Sequence, residues 1–214
     1  MVQSAFSEDF DEVLRWQSRI DELASGHDHR KNLEVLAAFA RAFFHAKKWN
    51  SAGMMWVRCA EACGSMDFFS EQVDTLTRAG DSFMFGDDQK NAALWYESAR
   101  DVSAEHGFIS MESKSCTRLG QAFMQTERTS EGVEQHRRAW AVAQTVGEND
   151  ASYDRASLER AALRRLVGAL CWDEHLEEAE AMFTRLREGG GQRRGLPALE
   201  PPLARNGSTA RSQL

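Results

Sequence analysis

Between residues 30 and 188, apolar and small side chains return at an interval of forty positions. Leu36, Leu76 and Cys116 share one column; Phe39, Ala79 and Leu119 share another, followed by Ala40, Gly80 and Gly120. Phe43, Phe83 and Phe123 form an aromatic column. Further on, Ala52, Ala92 and Gly132 align, then Trp56, Tyr96 and His136, then Cys59, Ala99 and Ala139. Trp16 stands forty residues before Trp56. One phrase is nearly written twice, as TRAGDSFMFG at 77–86 and TRLGQAFMQT at 117–126.

The spacing inside each unit is helical. A large residue three or four positions from a small one lies on the same helix face, as Phe83 does from Gly80 and Tyr96 from Ala92. The small residues let two helices approach, and the large ones fill the space left open. Each unit therefore predicts an antiparallel helix pair, with turns expected at Gly86-Asp-Asp and Thr129-Ser. A weaker fourth unit uses Val167, Leu170, Ala179, Phe183 and Leu186, displaced by seven extra residues around GENDASYDRAS. In residues 1–29, Phe10, Val13, Leu14, Ile20 and Leu23 predict a leading amphipathic helix that caps the array.

These columns resemble the tetratricopeptide repeat (TPR), whose small, aromatic, small, aromatic, small pattern is matched by Gly80, Phe83, Ala92, Tyr96 and Ala99. Ala40, Phe43, Ala52, Trp56 and Cys59 match it in the first unit, and Gly120, Phe123, Gly132, His136 and Ala139 in the third. A standard unit is about 34 residues. The forty-residue unit, which has no closing proline, is similar to the longer variety in kinesin light chains, spindle-orientation adaptors and the soluble attachment proteins of vesicle fusion. The resemblance implies an all-α fold over residues 30–188. Its form would be a right-handed superhelix of antiparallel helix hairpins, about four repeats plus a leading helix. First helices would line a concave groove and second helices an outer wall. It also implies a non-enzymatic adaptor or scaffold that binds a partner protein.

On that fold the arginine of the repeated phrase faces the groove. Arg78, Arg118 and Arg165 occupy this place in units two to four, Lys114 lies one turn before Arg118, and Arg41 and Arg164 fall on the same side. Guanidinium groups bind carboxylates in a bidentate fashion, so an acidic partner segment is the natural guest. Phe44, Met84, Phe85 and Met124 would add apolar contacts. Lys114 and Arg118 match part of a carboxylate clamp, but Ala37, Arg41 and Arg78 stand where that clamp needs lysine and asparagine. The competing expectation is that these arginines pair internally with Asp74, Asp81 and Glu34. A second functional reading is a structural subunit that uses its convex face or an uncapped C-terminal helix, with self-association through residues 175–188. Trp172 is expected to point toward the groove.

Charge narrows the partner class. The net charge of −7 is split, with +3 in residues 189–214 and −10 before them. This argues against nucleic-acid binding, which needs a basic footprint. Residues 189–214 hold all three prolines and four arginines, a composition expected of a disordered tail or of an alternative C-terminus. The acidic N-terminus has no basic and apolar leader pattern, so a cytoplasmic location with four reduced cysteines is expected.

Candidate chemistry is sparse. Cys59 and Cys63 lie one helical turn apart and His27 and His29 form a pair, but neither brings third and fourth metal ligands. Cys59 also falls in a column held elsewhere by alanine, the place of a small buried side chain. No phosphate loop, nucleophile elbow or zinc-protease helix is present, and no cofactor is expected.

Overall fold

The computed structural model describes Arg19, residues 29–145 and residues 155–190. The leading helix, the seven-residue insertion and residues 191–214 lie outside these described residues, Arg19 and His29 apart. Within them the chain forms α1 (His29–His45), α2 (Trp49–Ser65), α3 (Phe69–Phe85), α4 (Gln89–Glu105), α5 (Ile109–Gln125), α6 (Thr129–Gln144), α7 (Arg155–Trp172) and α8 (Leu176–Gly190). The described residues contain no strand, and each helix packs mainly on the next in sequence.

The forty-residue period consists of two twenty-residue halves. From α1 to α5 each helix has 17 residues and each linker three. The reason lies in how each helix stops. Lys48 N–H donates to Phe43 C=O at 2.9 Å and Lys47 N–H to Phe44 C=O at 3.0 Å, the paired bonds of a Schellman cap. The same pair closes α2, α3 and α4, through Phe68 and Asp67, Asp88 and Asp87, and Phe108 and Gly107. The cap needs one left-handed residue, and Lys47, Asp67, Asp87, Gly107, Glu127 and Glu174 supply it with φ of 59–69°. The next linker residue then starts the following helix. Among the residues that start α2 to α6, only Asp88 caps with a side chain, accepting from Asn91 N–H at 3.1 Å. Thr129, expected in a turn, is instead the first residue of α6, because the cap is completed by Arg128 N–H on Phe123 C=O.

The columns form a core that runs along the array. Leu36, Ala40, Phe43, Ala52, Met55, Trp56 and Cys59 pack together and reach Ala79 of α3. Phe83, Ala92 and Tyr96 pack with Leu119 and Phe123 of the following hairpin in the same way. A Cβ added at Gly80 would come within 2.4 Å of the Tyr96 ring, and one at Gly53 within 2.7 Å of the Phe83 ring. The glycines are thus the sockets into which the aromatic columns fit. Leu166, Leu170 and Ala179 continue the core through α7 and α8, joined by Val133 of α6.

The fourth unit departs at one place. Trp56, Tyr96 and His136 are buried in their column, but Phe183 is 41% exposed. Trp56 packs with Ala79 of α3 and Tyr96 with Leu119 of α5, the next odd-numbered helix in each case, and no such helix follows α8 among the described residues. The odd helices also touch across units, α3 to α5 and α5 to α7, whereas the even ones make no comparable contact. The odd helices therefore line the inner, more tightly curved side.

Candidate functional groove

A cleft of about 280 Å³ opens on the inner face, lined by Arg41, Phe44 and His45 of α1, Trp56 of α2, and Arg78, Asp81, Ser82 and Phe85 of α3. Two of its apolar lining residues, Phe44 and Phe85, belong to a group of three rings with Trp49. Phe44 meets Trp49 edge to face at 4.8 Å between centres and Phe85 at 5.5 Å, and Trp49 lies 5.3 Å from Phe85. Phe85 remains 62% exposed at the rim. The three rings meet because the α1 cap ends beside the start of α2, and α3 ends one unit further along the same edge.

Of the residues expected in the groove, Arg41, Phe44, Arg78 and Phe85 converge on this cleft. Met84 and Met124 do not open into it. Both are half-buried, Met84 against the Phe83–Tyr96 core and Met124 against the Val133–Leu166 core, where its sulfur lies over Gly132. Lys114, Arg118, Arg164 and Arg165 are exposed on α5 and α7, further along the inner helices. Trp172 is 56% exposed at the end of α7.

The arginines of the repeated phrase have neighbours inside the molecule. Arg78 Nε donates to Asp74 Oδ2 at 2.8 Å, and its guanidinium lies 5.3 Å from the Trp56 ring centre. Arg118 pairs with Asp81 at 3.3 Å, and the Tyr96 hydroxyl donates to the same carboxylate at 2.6 Å. Burial, followed by the Asp81 charge, raises the Tyr96 hydroxyl well above its ordinary range. Internal pairing is thus realised for Asp74 and Asp81. Each side chain still keeps about half its surface in solvent, 51% for Arg78 and 49% for Arg118. In water such pairs contribute little to stability, so the arginines can exchange a carboxylate of their own for a guest's.

Other titratable groups are set by burial. The Cys59 and Cys116 thiols are pushed up to about 12, chiefly by desolvation, which keeps them protonated and poor nucleophiles. His136 is pushed down to about 4 by burial and then by the Arg165 charge, and its Nδ1 makes no hydrogen bond. No group of three potential metal ligands occurs among the described residues. No described helix is long and apolar enough to cross a membrane.

The array of helix pairs can be compared with known proteins as a shape. It superposes on BtubC from P. vanneervenii with a TM-score of 0.64 at 13% identity, covering 89% of this chain and 81% of that one. It superposes with a TM-score of 0.62 on the nearly identical TPR-like repeats of a Podosopora anserina protein assigned as a kinesin light chain. That match has 13% identity and covers 88% of this chain and 97% of the other. The fold is TPR-like.

RapI gives a TM-score of 0.67 at 10% identity over 88% of this chain, which spans 51% of RapI. No protein-family model matches the sequence, and no curated protein matches it. At these identities the likeness concerns the TPR-like fold alone. Sequence reasoning missed His45, Trp56, Asp81 and Ser82 as lining residues of the cleft, and Trp49 as the ring packed behind Phe44 and Phe85. Trp49 and Phe85 sit 36 positions apart, a spacing the forty-residue columns do not pair.

Proposed function

We propose that this protein is a non-enzymatic adaptor whose TPR-like array holds a segment of a partner protein in its inner groove. The cleft between α1 and α3 is the anchor point. The observation that carries this reading is the convergence of Arg41, Phe44, Arg78 and Phe85, with Trp56, on one open cleft. A guest suited to it presents an apolar or aromatic side chain to Phe44 and Phe85, and a neighbouring carboxylate to Arg41 and Arg78. Extended and helical peptides both meet such a groove through a few spaced anchors. Asp74 holds Arg78 and Asp81 lines the cleft, so a guest carboxylate at the anchor competes with these two for the guanidinium groups.

Selection from a random peptide display library against the full chain tests the reading. Enrichment of an aromatic or aliphatic residue next to Asp or Glu, lost with Phe85→Ala or Arg41→Glu, supports it. Enriched peptides that bind both variants equally well contradict it. The structural-subunit reading rests on a different surface, the exposed side of α8.

A further inference from the structure

Among the described residues, the last helix, α8, is held on one side only. Ala179 and Leu186 are buried there, Glu178 accepts from Arg137 of α6 at 2.6 Å, and the Arg185 guanidinium lies 5.7 Å from the Trp140 ring. These contacts fix the rotation of the helix. Leu176, Glu180, Phe183 and Arg187 then follow at intervals of four, three and four, which places them on one stripe. All four are exposed, Leu176 at 64% and Phe183 at 41%. Phe183 holds the column position at which Trp56, Tyr96 and His136 are buried, Trp56 and Tyr96 against the next odd helix.

The charges on this stripe identify its occupant. Glu180 stands three residues before Phe183 and Arg187 four residues after it. A two-fold axis at Phe183 reverses the helix direction, so Glu180 of each copy meets Arg187 of the other. The two Phe183 rings then cover one another at the centre. A parallel arrangement would instead set Glu180 against Glu180. A stripe whose charge is complementary to its own reverse is what an isologous contact requires.

We propose that a second copy of this chain pairs antiparallel with α8 along Leu176, Glu180, Phe183 and Arg187. One helix face is a small contact, so the dimer is weak and reversible, with a Kd roughly in the micromolar range. The pair leaves the α1–α3 cleft open at the other end of the array. It would present two clefts at once, raising the avidity for a repeated guest.

Sedimentation equilibrium on the full chain, from micromolar to near-millimolar concentration, tests this. The wild type is expected to show a monomer–dimer equilibrium. Glu180→Arg and Arg187→Glu should each weaken it by about tenfold or more, because like charges then face each other. Equimolar mixing of these two variants should restore a dimer, since each supplies the sign that the other lacks. Both residues are exposed, so helicity and melting at low concentration should match the wild type. A wild type that stays monomeric throughout, as it would if residues 191–214 covered the stripe, overturns the proposal. So do reversals that leave the dimer unchanged, or a mixture that does not reassociate.

Discussion

The guanidinium of Arg78 lies 5.3 Å from the centre of the Trp56 ring, 22 positions earlier in the chain. The relationship repeats along the array. The Arg118 charge acts on Tyr96, again 22 positions back, and the Arg165 charge acts on His136, offset by the seven inserted residues. The arginine of the repeated phrase therefore has two roles. Its inner part borders the packing column of the preceding unit, and its charged end reaches the groove. Arg78→Ala should cost roughly 0.5–1 kcal/mol, the size of an exposed cation–π contact, measurable by urea denaturation. Trp56→Ala, which empties a buried site, should cost about 3–5 kcal/mol.

The glycines make a sharper pair of expectations. At Gly80 a methyl group would press into the Tyr96 ring at 2.4 Å, whereas at Gly168 nothing lies within 4 Å. Gly80→Ala should destabilise by about 1–3 kcal/mol through overpacking. Gly168→Ala, on the exposed face of α7, should stabilise by roughly 0.5–1 kcal/mol through helix propensity. Opposite shifts in melting temperature would confirm the contrast.

The linkers offer an independent check. Five of the six left-handed residues carry side chains, and only Gly107 does not. Gly107→Ala should cost about 1 kcal/mol, while Glu127→Gly should gain a few tenths to about 1 kcal/mol. Thermal melts of the two variants suffice.

The columns of small and aromatic residues made the helix pairs readable, because the packing that creates them repeats with the chain. Phe83 and Tyr96 could be placed by their spacing from Gly80 and Ala92, but that the Tyr96 ring fills the socket at Gly80 is a contact between helices that this spacing does not show. The linkers could not, because Lys47, Asp67 and Glu127 adopt the left-handed turn without a glycine to announce it. Thr129-Ser resembled a turn for the same reason. The cleft was half legible. Arg41, Phe44, Arg78 and Phe85 follow from register, but His45 and Ser82 line the cleft at positions the columns do not single out, and Trp49 joins Phe44 and Phe85 through contacts between helix ends. Phe183 kept its register and lost its burial, since burial there depends on the element that follows.

His136 gives the fold a pH dependence of known sign. Its ordinary value is 6.5 and burial lowers it to about 4, so the unfolded chain takes up a proton first. The stability it supports is complete above pH 6.5 and declines as pH falls toward 4. The full effect is on the order of 3 kcal/mol. His136→Phe should flatten this slope between pH 6.5 and 4.5, leaving the carboxylate-driven loss at lower pH. Denaturation midpoints across the range check it.

Partner binding in the α1–α3 cleft is tested most directly by one comparison. Proteins retained from lysate by the full chain are identified beside those retained by Arg41→Glu/Phe85→Ala, after the two are matched for helicity and melting temperature. Both side chains are surface-accessible, so the fold should survive the change. The adaptor account predicts that a defined set of partners disappears, and that these share a segment with an apolar residue beside a carboxylate. An identical set of partners on both proteins would contradict it.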